Sequence, residues 1–253
     1  MKKAAFVPNR ILCLAVLFAL GGSMLVAGGP QDEKPSTFAP MPDLAAQVEE
    51  FIEEIAEDLE DPDDYTEDHK SRIVLNSSTL IVLGQTIGMH DAEHPLKQAA
   101  PRLIEAATEL SENADDFAAA GGSLAAIRES LTSTSGGDVD WEPAADLGAL
   151  MRQVPIVNNS LRRGVTGRRF ERMIDKSAGT ASTLAAIAQA SIYYTDYCLD
   201  EEDEARWAEI CIDMREAATQ VNVAVRRKDK PAAVAGLAKL VETCDACHHT
   251  FRD

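Results

Sequence analysis

Alternation of apolar and polar residues, the mark of a half-buried strand, is missing along the chain, and its absence excludes a sheet-based fold. Basic charge is scarce. Lysine and arginine total 24 against 42 aspartates and glutamates, a net charge of −18. A nucleic-acid partner calls for a basic footprint, so that class of function is excluded. The same acidity suits solubility and can steer the chain toward a basic partner. A membrane-spanning helix needs about 20 apolar residues. The one long apolar run, Ile11 to Val26, is shorter than that. It follows Lys2, Lys3 and Arg10 and precedes Ala27, Gly28 and Gly29, the layout of an export signal over residues 1–27, with an uncleaved anchor as the other option. Cysteine is also infrequent, five in all, and Cys13 lies in the expected signal.

What is present is helical sequence, rich in alanine and with apolar residues recurring at three and four. Residues 28–42, carrying Pro30, Pro35, Pro40 and Pro42, read as a tether. Four helices are expected in the C-terminal half: Pro143 to Arg163, Arg169 to Tyr194, Asp203 to Arg227, and one starting near Pro231, whose residue type suits a first turn. Val234, Leu237, Val241, Cys244, Cys247, His248 and Phe251 fall along one stripe of the last. The N-terminal half repeats the plan. Ser78-Thr79-Leu80 with Gln85 matches Ser182-Thr183-Leu184 with Gln189, Glu105 to Thr108 matches Glu216 to Thr219, and Leu124 to Ser130 matches Leu237 to Thr243. The expected fold is therefore all-α, two tandem antiparallel four-helix bundles over residues 43–134 and 141–253, joined by the Ser- and Gly-rich segment Ser133 to Asp140.

The most specific chemistry is Cys244-Asp245-Ala246-Cys247-His248. Two thiols three apart followed by an imidazole form an attachment site for c-type haem. Each thiol can add across one vinyl group of the porphyrin as a thioether, and His248 can then ligate the iron. On a helix the three side chains project from one face. Zinc, another home for a CxxC pair, needs four ligands in a tetrahedron, and Cys244, Cys247, His248 and His249 crowd a single turn. A thioredoxin-like dithiol expects a βαβ context that is lacking. In the repeat, Cys244 falls opposite Leu131, Cys247 opposite Thr134 and His248 opposite Ser135, so the first copy should carry no covalent haem. Cys198 and Cys211 could pair in an oxidising compartment.

With Phe251 and Arg252 following at the right spacing, the last helix resembles the class II c-type cytochromes, the cytochrome c′ family. The resemblance covers roughly residues 143–253. It implies haem c between the helices of the second bundle, one per chain, with His248 as proximal metal ligand and Arg252 beside the haem. It also implies a distal residue from the first helix. Arg152-Gln153-x-x-Ile156 matches the family's pattern and puts Ile156 over the iron, leaving it open to a diatomic gas such as NO or CO. Low-spin relatives place a methionine there, and Met151 is the helix's only one. Pro155 could kink this helix. The function implied is a periplasmic electron carrier or gas binder, with a redox protein or a gas as partner. Because members of the family pair as dimers, the two copies could form an internal pseudo-dimer. A haem peroxidase would want a distal histidine, which the first helix lacks, and a pure interaction module is the remaining class. His69, His90, His94 and His249 are expected at the surface.

Overall fold

The computed structural model describes residues 33–251. The expected signal, the start of the tether and Arg252 lie outside the described residues. Among those described, the secondary structure is helical throughout: α1 (Met41–Asp58), α2 (Glu67–Gly88), α3 (Pro95–Asn113), α4 (Phe117–Ser130), α5 (Leu147–Thr166), α6 (Ile174–Ser191), α7 (Glu201–Arg226) and α8 (Lys230–Phe251). No helix among them is long and apolar enough to cross a membrane.

Local chemistry sets the helix ends. Asp116, Asp146 and Asp200 accept hydrogen bonds from free backbone N–H groups at the starts of α4, α5 and α7. Glu201, Glu202, Asp203 and Glu204 place four carboxylates in the first turn of α7, where the helix dipole favours negative charge. The turn into α8 is tight, with Lys228 in the left-handed region at φ 59°. Lys230 Nζ then ties the start of α8 to the end of α5 through the carbonyls of Thr166 (3.1 Å) and Gly167 (2.9 Å).

Each helix packs on its successor within residues 41–130 and again within 147–251. α4 returns to α1, and α8 returns to α5. Burial on α1 and α5 follows one register. Leu44, Gln47, Val48, Phe51 and Ile55 are buried on α1, and Leu150, Gln153, Val154, Val157 and Leu161 on α5, in the same order and spacing. The groove between α3 and α4, lined by Glu105, Glu109 and Glu129, has a counterpart between α7 and α8, lined by Glu216, Gln220 and Glu242.

The two sets of helices share one core. α1 packs on α6, α5 on α2, and α2 on α6. The polar contacts in this seam have the same reciprocity. Thr183 of α6 donates to Gln47 of α1 (2.9 Å), and Gln153 of α5 donates to Asn76 of α2 (2.9 Å). Asp43 of α1, 2% exposed, accepts from Asn222 (2.7 Å) and pairs with Arg226, both on α7.

Residues 33–40, expected as a plain tether, are docked. Phe38 and Ala39 are buried, Glu33 pairs with the buried Arg215 of α7, and Ser36 bonds Asp91. His90 corrects a second expectation. It is buried, with Nε2 3.1 Å from the carbonyl of Ala39 and Nδ1 accepting from the amide of Ala92. His69 and His94 serve as helix caps.

Candidate functional site

The inward face of α8 is set by Ala233, Gly236, Leu237 and Leu240. Gly236 allows it to approach α7 closely, since a Cβ there would stand 2.9 Å from Val221 Cγ2. Val234 and Val241, expected on the same stripe, are 40% exposed. The buried face continues into the partly buried Cys244 and Cys247, both packed against the core, while His248 is exposed at its edge.

Two clefts meet at this end of α8. The larger, 550 Å³, lies between α8, α5 and α7, with Leu147, Met151, Arg152 and Pro155 on one side and Tyr197, Trp207, Cys247, His248 and Phe251 on the other. The smaller, 370 Å³, adds Cys244, Val154, Asn158, Ile210, Cys211 and Met214. Met151, Pro155, Trp207, Cys247 and His248 line both. Volumes of this size lie in the range of small-molecule and cofactor sites. Trp207 anchors the wall. It is buried, its Nε1 donates to the carbonyl of Ser191 (2.6 Å), and its ring meets Phe251 edge-on at 5.2 Å.

All four described cysteines are free thiols, so Cys198 and Cys211 are not bonded to each other. Burial raises the pKa of Cys244 and of Cys247. Asp245 pushes Cys244 further in the same direction, and Cys244 does the same to Cys247. Burial raises Cys211 strongly. A raised pKa leaves each of these thiols less thiolate than a free cysteine would have. Among the described residues no three or more His, Cys, Asp or Glu side chains gather in a way that could hold a metal ion.

The arrangement fits a covalently held porphyrin. Two free thiols and an imidazole from one helix border the smaller cleft, walled by an indole and two methionines, and Phe251 lines the larger cleft beside it. The wall also holds an unsatisfied polar atom, the buried Oδ1 of Asn158.

Ile156 is not brought to this site. It is 51% exposed and lines neither cleft. Helix geometry gives the reason. Pro155 follows Met151 by four residues and shares its face, whereas Ile156, five on, is turned away by roughly 140°. On α5, Met151 and Pro155 line both clefts with His248, and of the two only Met151 carries a ligating atom. α5 runs unbroken through Pro155. Of the larger surroundings, Trp207, Tyr197 and Met214 went unassigned in the sequence, and Cys211 was read only as a possible disulfide partner of Cys198. Trp207 had the clearest signal, the one indole of α7, nearly two turns from its start.

The first half has no equivalent of this site. α4 ends at Ser130, and Leu131, aligned with Cys244, is already its C-terminal cap. Compared with protein-family models, with curated proteins and with solved structures, the chain gives no match.

Proposed function

We propose that the chain is an exported c-type haem protein that carries single electrons, built as two tandem antiparallel four-helix bundles of which only the second, of cytochrome c′ type, holds haem. The observation that carries the reading is the meeting of Cys244, Cys247 and His248 with Met151 around one apolar cleft. When bound, the haem supplies a one-electron iron couple. Cys244 and Cys247 would hold it by thioethers and His248 would ligate the iron. Trp207, Phe251 and Leu147 exclude water from its faces. Arg152, exposed at the cleft's edge, is placed to meet a negatively charged group.

Met151 would supply a second protein ligand to the iron. It lines both clefts with His248, whereas Ile156 lines neither. This favours electron transfer over gas binding. The reciprocal packing of α1 on α6 and α5 on α2 supports an internal pseudo-dimer in which the haem-less bundle takes the place of a second subunit. The basic start and apolar run of residues 1–27 support export to the periplasm.

The test is expression with a c-type maturation system, followed by denaturing extraction and optical spectra. One covalent haem per chain is expected, low-spin and resistant to carbon monoxide, with gas binding appearing in Met151→Ala. A wild-type chain from which all haem extracts would sink the attachment. Wild-type ferrous protein that binds carbon monoxide readily would sink Met151 as ligand.

A further inference from the structure

The connection between α6 and α7, from which Tyr197 lines the larger cleft, and the first turn of α7 carry two features that folding does not account for. The first is exposed apolar surface. Leu199 is 93% exposed, the most exposed large apolar side chain among the described residues, and Tyr197, which lines the cleft, is 57% exposed. Both sit on the short connection between α6 and α7. The second is uncompensated charge. Asp196, Asp200, Glu201, Glu202, Asp203 and Glu204 follow one another with no basic residue between them. Asp200 and Asp203 are used internally, accepting backbone N–H bonds at the start of α7. Asp196, Glu201, Glu202 and Glu204 are exposed, and none of them is joined by a salt bridge among the described residues, while the arginine nearest in sequence, Arg206, pairs with Glu209. The helix dipole explains carboxylates in the first turn of α7. It does not explain a leucine in water beside them.

An apolar centre with a charged rim is the anatomy of a transient protein interface. We propose that Tyr197 and Leu199, rimmed by Asp196, Glu201, Glu202 and Glu204, form the docking surface for a basic redox protein that exchanges electrons at the cleft mouth. Charge selects the occupant. A second copy of the chain would bring another net −18, and an anionic membrane would likewise be repelled. A partner with lysines and arginines around an apolar patch complements both features, and attraction of this kind mainly raises the association rate. The proposal rests on the reading of the cleft as a haem site.

The probe is a basic mitochondrial-type cytochrome c, used with the holoprotein in two measurements. The first is the second-order electron-transfer rate at rising ionic strength. The rate should fall with salt, as screening requires. Glu201→Gln, Glu202→Gln and Glu204→Gln together should slow it roughly tenfold at low salt and flatten the salt dependence. Leu199→Ala should slow it while leaving the salt slope intact. The control neutralises Glu49, Glu53 and Glu57 on α1, the same change in net charge on the haem-less half, and should change the rate less than twofold. Equal losses in the two triple variants would overturn the surface, as would no loss in either. The second measurement is carbodiimide cross-linking to the probe's lysines, mapped by mass spectrometry, which reads the surface whether or not haem is present. Cross-links at residues 196–204 support the surface, and cross-links confined elsewhere overturn it. Haem content, read separately by absorbance, tells a failed surface from a failed haem site.

Discussion

Replacing Asp43 by alanine tests how strongly the two sets of helices are joined. Asp43 is 2% exposed on α1 and holds three donors from the other half: Arg226, Asn222 Nδ2 at 2.7 Å and Ser182 Oγ at 3.3 Å. Breaking a fully buried ion pair costs about 3–5 kcal/mol. Two circumstances reduce the figure here. Arg226 is 40% exposed, so water can take up its freed N–H groups, and it keeps Asp175. Asn222 keeps the carbonyl of Ala178 at 2.9 Å and Ser182 Oγ at 3.0 Å. What is lost is one ion pair and two hydrogen bonds to the same carboxylate, partly replaced, which gives about 2–3 kcal/mol. Asp43→Asn retains an acceptor for Asn222 and should cost about 1–2 kcal/mol. In urea, with a slope near 2–3 kcal/mol/M, the alanine variant should unfold at a midpoint about 1 M lower. The reasoning is refuted if the alanine variant loses less than about 0.5 kcal/mol at unchanged slope, or if asparagine costs more than alanine.

Two further outcomes follow from packing and from burial. Gly236→Ala should destabilise by about 1–3 kcal/mol by driving a methyl group into the buried Val221, whereas Gly121→Ala, on an open face of α4, should stabilise by about 0.5–1 kcal/mol; thermal unfolding of both variants checks the contrast. In the haem-free chain without residues 1–27, Cys244 and Cys247 should alkylate more slowly at pH 8 than an unfolded-peptide thiol, because a raised pKa leaves less thiolate, and the rate should climb as pH rises beyond the ordinary thiol range. Cys211, more deeply buried, should react only on unfolding, so iodoacetamide labelling at Cys211 in the native chain would contradict its placement.

The helical class was legible because alanine and three–four spacing leave no other secondary structure open. Helix ends were less so. The second helix of the C-terminal half was expected from Arg169, but Phe170–Arg172 form a separate 3-10 turn. Phe170 is buried there without being α-helical, so the apolar period runs past the true helix start. Three helix pairs of the repeat could be read from identities. The fourth carried an unused signal, Leu44-x-x-Gln47-Val48 against Leu150-x-x-Gln153-Val154. Its glutamines turn out to be seam residues on opposite sides. The docking of Phe38 could not be foreseen, because a proline-rich segment gives no periodicity from which to infer burial. At the site, the thiols and imidazole were readable since their spacing is their chemistry. The facing wall was not, because whether Met151 or Ile156 turns inward depends on the rotation of α5 about its own axis, which a motif match cannot fix.

The ending of α4 at Ser130 bears on any attempt to copy the proposed attachment site into the first half. Writing cysteine at Leu131 and Thr134 and histidine at Ser135 would reproduce the spacing of the C-terminal motif along the chain. It would not reproduce its shape. Past Ser130 the backbone leaves the helix and runs through Gly136 and Gly137, both at positive φ, so the three side chains would share no face. A working graft would first have to prolong α4 by about two turns, through ground now held by the segment that crosses to α5. The motif is five letters long, but the proposed haem site is those letters plus the rod that keeps them aligned.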